Sequence, residues 1–220
     1  MNRRTFLGSS AAQLGTLGTT LTLAQLGLVD RAHAAGTTTE VENFKFDNEI
    51  NVGGQRLVLN GAGVRYKLVF KLYAMALYLP KKSTSVDEII AMPGRKRIQM
   101  LALREMPVAE FGRMTARGIQ ASATRDDLVK ILPDVARIGQ LYGAYDRTNL
   151  GDEILMDWTP GAGLTVHFRG ALQGDPFVQP ELFNTLLKVW MGDKPADAQL
   201  KAALLGHTAA PVKDAGDLLN

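Results

Sequence analysis

The chain has 220 residues, 46% of them hydrophobic and 21% charged, with a net charge of +3. That is ordinary globular usage, which excludes collagen-like and disordered chains and points to one domain of moderate size. With no cysteine, disulfides, thiolate metal centres and thiol catalysis are ruled out, and the histidines His33, His167 and His207 are too scattered to form a metal cluster, so no cofactor is expected.

The amino terminus reads as an export signal. Asn2-Arg3-Arg4-Thr5-Phe6-Leu7 resembles the twin-arginine motif of bacteria, an uncharged stretch runs from Gly8 to Val29, and Ala32-His33-Ala34 is an A-x-A-type cleavage site. This reading makes the mature protein periplasmic, with no stable membrane anchor after cleavage. The alternative is a retained anchor, but Gln13, Gly15, Gly18 and Gln25 dilute the stretch below what a spanning helix wants. Removing residues 1–34 takes away Arg3, Arg4 and Arg31 against Asp30, leaving a net charge of about +1 and no basic surface for nucleic acid. The cluster Arg95-Lys96-Arg97 reads as a solvated turn.

Residues 35–41 read as a polar leader. Strands are expected over Phe44–Ile50 and Gln55–Asn60, separated by the turn signal Asn51-Val52-Gly53-Gly54, with a break or bulge at Gly61-Ala62-Gly63. A long strand from Arg65 to Leu79 ends at Pro80. Ser85 and Glu88 form a capping-box pattern for a short helix that Pro93-Gly94 stops. Ile98–Leu103 reads as a strand. Helices follow from Pro107, on the stripe Val108, Phe111, Met114, Gly118 and Ile119, and over Thr124–Tyr142, where Pro133 predicts a kink or break. Glu153–Trp158 and Leu164–Arg169 should form an antiparallel hairpin about Thr159-Pro160-Gly161-Ala162-Gly163, and His167, alternating with Val166 and Phe168, reads as solvent-facing. Leu172–Val178 adds a short piece, helices fit Glu181–Met191 and Ala196–Leu205, and 207–220 is a patternless tail. The order implies an α+β domain, an antiparallel sheet with helices on one face.

The stretch from Arg65 to Leu79 has two faces. Its even positions, Tyr66 to Tyr78, are continuously apolar and are expected to face the main core. Its odd positions pass from cationic (Arg65, Lys67, Lys71) to apolar, with Tyr73 at the boundary. Such a face suits either a partly wet strand or the mouth and floor of an amphipathic pocket.

Several segments resemble the chalcone isomerase-like family. They are Leu59-Asn60-Gly61-Ala62-Gly63-Val64-Arg65, the run Phe70–Leu79, Gly151-Asp152-Glu153-Ile154, Pro160–Val166, and Phe183 through Trp190-Met191-Gly192 to Leu204-Leu205-Gly206. The resemblance spans residues 42–206. It implies an open-faced β-sandwich, a large antiparallel sheet under a layer of helices, with a ligand cleft between them. It also implies that the arginine ending Gly-Ala-Gly-x-Arg, here Arg65, reaches into the cleft. In the fatty-acid-binding branch a tyrosine on the next strand, matching Tyr73, helps hold a carboxylate. The candidate ligand-binding residues are Arg65, Tyr73, Phe111 and Thr185, and none is assigned a catalytic role.

A guanidinium fork beside a phenol suits an acid head group, while each buried acyl methylene adds about 0.8 kcal/mol. On one straight strand, however, Arg65 and Tyr73 would lie about 26 Å apart, at roughly 3.3 Å per residue. Either the chain turns between them, without Gly or Pro to help, or one assignment fails. In the isomerases a helix tyrosine helps polarise the carbonyl, and its match here is Phe111, which has no donor. The expectation is therefore a binder of a fatty acid or similar amphipathic carboxylate. The alternatives are an isomerase acting on a chalcone-like enone, and a scaffold that binds another protein through Tyr142–Arg147 or the Arg95 region.

Overall fold

The computed structural model describes residues 37–141 and 145–207. The signal-type segment 1–34, residues 142–144 of the proposed scaffold surface and residues 208–220 of the expected tail lie outside them.

Residues 38–41 are not a polar leader. Strand β1 (Thr38–Val41) pairs with β2 (Phe44–Asp47) in a small hairpin. The chain then builds β3 (Glu49–Val52), β4 (Gln55–Lys67), β5 (Phe70–Leu79), helix α1 (Val86–Ala91), β6 (Lys96–Ala102) and β7 (Met106–Pro107). Helices α2 (Val108–Ser122) and α3 (Arg125–Gln140) lead to β8 (Arg147–Thr148), β9 (Glu153–Thr159), β10 (Gly163–Phe168) and β11 (Ala171–Leu172). Helices α4 (Pro180–Met191) and α5 (Ala198–Leu204) end the described chain. Seven strands form one antiparallel sheet in the order β11-β10-β9-β6-β5-β4-β3.

The local signals act as their chemistry dictates. Gly53 and Gly54 take positive φ in the β3–β4 turn, and the Asn51 side chain accepts from the Gly54 N–H. Ser85 caps α1 by accepting from the Glu88 N–H, and Thr124 caps α3 by accepting from the Asp127 N–H. Helix α3 continues through Pro133 without a break. No described helix is long and apolar enough to cross a membrane.

The stretch expected to be one strand from Arg65 to Leu79 is two. The chain reverses at Leu68-Val69, with Leu68 at φ 56, so that Lys67 faces Phe70 across the shortest kind of hairpin connection. The register shifts once more between Arg65 and Tyr66, and these irregularities invert the expected faces of β5. Tyr73, Met75, Leu77 and Leu79 point into the main core beneath the helices. Ala74, Ala76 and Tyr78 join Phe46, Leu57 and Leu59 in a smaller core on the other face, which the β1–β2 hairpin helps to cover.

The Gly61-Ala62-Gly63 segment carries a register shift between Leu59 and Gly61 without breaking β4. Its glycines answer to α5. A Cβ on Gly61 would lie 2.0 Å from the Ala203 carbonyl oxygen, and one on Gly63 2.7 Å from the Ala203 Cβ. Asn60 locks this contact, donating to the Ser83 and Leu204 carbonyls at 2.9 and 2.7 Å and accepting from the Ser83 N–H.

Two surface expectations are corrected. Arg95-Lys96-Arg97 is not a solvated turn but the entry to β6. Lys96 is 3% exposed, Arg97 donates to both carboxylate oxygens of Asp157 at 2.6 and 2.7 Å, and Arg95 donates to Thr159. His167 is half-buried rather than solvent-facing, and its Nδ1 has no hydrogen-bond partner among the described residues.

Candidate ligand-binding site

The hairpin disposes of the 26 Å objection. Arg65 on β4 and Tyr73 on β5 are register partners on adjacent antiparallel strands, brought face to face by the turn at Leu68-Val69. Lys67 and Lys71 take no part in this pairing, since they form surface ion pairs with Glu110 at 3.3 Å and Glu42 at 2.8 Å. The Arg65 side chain is turned inward and only 16% exposed.

Arg65 and Tyr73 line a cleft of about 210 Å³ with Phe111 and Met114 of α2 and Val189 and Trp190 of α4. Phe111 packs edge-on against the Tyr73 ring, centroids 6.1 Å apart. The Trp190 indole N–H donates to the Tyr73 hydroxyl at 2.9 Å. The phenol oxygen is thus an acceptor already, and its own O–H meets no acceptor among the described residues. Burial pushes the Tyr73 phenol above its ordinary pKa, outweighing the opposing pull of Trp190 and Arg65, so the group stays a neutral donor through the physiological range.

On the other side of the guanidinium lies Asp197, whose carboxylate is 3.6 Å from the Arg65 Nη1 and 9% exposed. At that distance the pair is electrostatic rather than hydrogen-bonded. Asp197 is otherwise fully engaged. One oxygen caps α5 by accepting from the N–H groups of Gln199 and Leu200, and the other accepts from the Tyr66 N–H at 2.8 Å. It therefore fixes α5 to the irregular end of β4 and steadies Arg65 without occupying its donors. No carboxylate or backbone carbonyl among the described residues accepts a hydrogen bond from Arg65.

Beside this cleft a second hollow of about 320 Å³ shares its walls at Lys67, Leu72 and Met114 and extends past Leu68, Phe70 and Met106. Deeper, behind Tyr73 and Phe111, the space narrows to about 10 Å³ against Met100 and Ile154. Room for a chain therefore runs outward along the β4–β5 hairpin and α2, not down under the middle of the sheet. The two hollows together fall within the roughly 300–1,000 Å³ usual for small-molecule sites.

Of the four residues singled out from sequence, the fold brings three together. Thr185 is not among them: it is buried in α4, 1% exposed, and does not line the cleft. Sequence reasoning missed Asp197 and Trp190 as parts of the site. Asp197 carried a helix N-cap signal, because an acidic residue stands just before Ala198 where α5 begins. Trp190 was named only within the family-resembling segment that runs from Phe183 to Gly192.

The sequence profile described as chalcone isomerase-like matches residues 38–206. The chain belongs to the chalcone isomerase-like family. Among solved structures, it is similar to a crystal structure of an Arabidopsis thaliana fatty-acid binding protein, with a TM-score of 0.60 and 16% identity over 77% of this chain and 96% of the other. At that identity the likeness is one of fold, and it agrees with the large antiparallel sheet and helical layer. No curated protein sequence matches the chain significantly. Within this chalcone isomerase-like domain, Arg65, Tyr73 and Phe111 line one cleft.

Proposed function

We propose that the protein binds a fatty acid or similar amphipathic carboxylate, holding the head group between Arg65 and Tyr73 and laying the chain along the groove toward Met106. The observation that carries this reading is the paired donors: a guanidinium and a phenol O–H, register partners, both facing the same partly apolar cleft with no protein carboxylate or carbonyl hydrogen-bonded to the guanidinium. A carboxylate oxygen accepting from each would complete both groups with charge-assisted bonds. The name of the Arabidopsis neighbour lends the ligand class support.

The isomerase reading has less to rest on. Phe111 occupies the α2 position beside Tyr73, and the nearby Thr115 hydroxyl is spent on the Phe111 carbonyl at 3.0 Å. Its test is cyclisation of a hydroxychalcone that Arg65→Ala abolishes. Residues 1–34 support export to the periplasm, which cell fractionation and amino-terminal sequencing of the mature protein would check.

The test of binding is mass spectrometry of lipids extracted from purified protein, wild type beside Arg65→Ala. A fatty acid on the wild type that is lost in the variant is expected. No co-purifying acid, or equal loading of both, counts against the proposal.

A further inference from the structure

The β4–β5 connection breaks the usual chemistry of a tight turn. Two-residue hairpin turns favour Asn, Asp and Gly, which accept positive φ and like water. Here the turn is Leu68-Val69, followed by Phe70, and the three residues are 89%, 73% and 53% exposed, with Leu68 held at φ 56. A consecutive exposed apolar triplet on a projecting tip is costly in water unless something else receives it.

Its surroundings identify the receiver. Lys67 and Lys71 bracket the triplet, and the Arg104 guanidinium lies 4.8 Å from the centre of the Phe70 ring. The glutamates that pair with the two lysines do so at the surface, where such pairs are weak in water. Three residues on a tip are too few for a stable protein interface, which needs roughly 800 Å² from each partner. They suffice for shallow insertion into a bilayer, where apolar side chains enter the acyl boundary and flanking cations meet lipid phosphates. Leu68 and Phe70 also form the outer wall of the hollow that continues, past Leu72 and Met114, to Arg65 and Tyr73.

We infer that the Leu68-Val69-Phe70 tip docks on an anionic lipid surface and sets the mouth of the groove against it, so that the fatty acid passes directly between bilayer and cleft. The inference rests on the binding function proposed above. The two fail separately in the following experiment.

Full-length protein loaded with a fluorescent fatty acid is mixed with phosphatidylcholine vesicles containing or lacking phosphatidylglycerol, and the transfer rate is followed against vesicle concentration. Docking predicts a rate that rises with vesicle concentration and phosphatidylglycerol content and falls with salt. Val69 lines neither hollow. Val69→Asp is expected to slow transfer about tenfold, as an added charge opposes insertion, with the affinity for free probe unchanged. Val69→Trp, which keeps the tip apolar, should quicken it. A rate independent of vesicle concentration, or equal rates in wild type and both variants, overturns the inference. If the wild type binds no probe, the cleft reading fails and vesicle co-sedimentation decides the docking alone: retention lost in Val69→Asp supports it, and equal retention overturns it. A Val69→Asp variant that loses self-association on gel filtration while transferring normally makes the tip a protein contact, and the lipid assignment is wrong.

Discussion

The proposed grip on a carboxylate depends on how Arg65 and Tyr73 are supported from behind. Tyr73→Phe removes one donor toward the ligand and also strips the buried Trp190 N–H of its acceptor. Fatty-acid affinity should fall about tenfold by titration calorimetry, and urea unfolding should show a loss of about 1–3 kcal/mol, the usual cost of an orphaned buried donor. Arg65→Lys keeps the charge without the planar fork and should bind more weakly than wild type but better than Arg65→Ala. Lys96 offers a contrasting case, a cation with no hydrogen-bond or ion-pair partner among the described residues. Burial lowers its pKa, so over the interval below the ordinary lysine value the unfolded chain binds more protons and stability rises with pH. Lys96→Met should stabilise the protein at neutral pH by about 1 kcal/mol, and the advantage should shrink as pH rises toward that value, checked by urea unfolding at both ends.

At the scale of elements, the site is a junction between one hairpin, the mid-chain helix α2 and two helices from the far end of the chain. The close seat of α5 on β4 makes a sharp prediction. Gly61→Ala drives a methyl into the Ala203 carbonyl, and α5 must lift. We expect a loss of more than about 2 kcal/mol by thermal or urea unfolding, and weaker ligand binding as Asp197 moves off Arg65. Much at this scale was legible in advance. The β9–β10 hairpin, the cap of α1 and the Gly61-Ala62-Gly63 irregularity all carry short-range signals. The turn at Leu68-Val69 was not legible, because apolar residues stand where polar ones normally mark a reversal. That one hidden turn misassigned the faces of β5 and made a correct pairing of Arg65 with Tyr73 look impossible. Asp197 and Trp190 were missed for another reason: their partners lie 131 and 117 positions away, and no local pattern reports such contacts.

At the scale of the whole molecule, the two hollows beside the β4–β5 hairpin share walls at Lys67, Leu72 and Met114. A bulky side chain at that neck should separate head-group recognition from chain length. Met114→Trp is expected to leave octanoate binding nearly unchanged while weakening palmitate about 200-fold, the cost of excluding about four methylenes at roughly 0.8 kcal/mol each. Equal effects on both acids would mean that the tail takes another path.

The shortness of the link between Arg65 and Tyr73 also governs when each half of the site comes into being. Closing a connection of this size takes about 1–10 μs, whereas Trp190 must wait until nearly all of the chain is available to fold. The proposed clasp for an acid therefore rests on local contacts, and its hydrophobic shelter on distant ones. A chain cut short before α4 would keep the residues of the cationic hook and lack the wall that Val189 and Trp190 give the cleft.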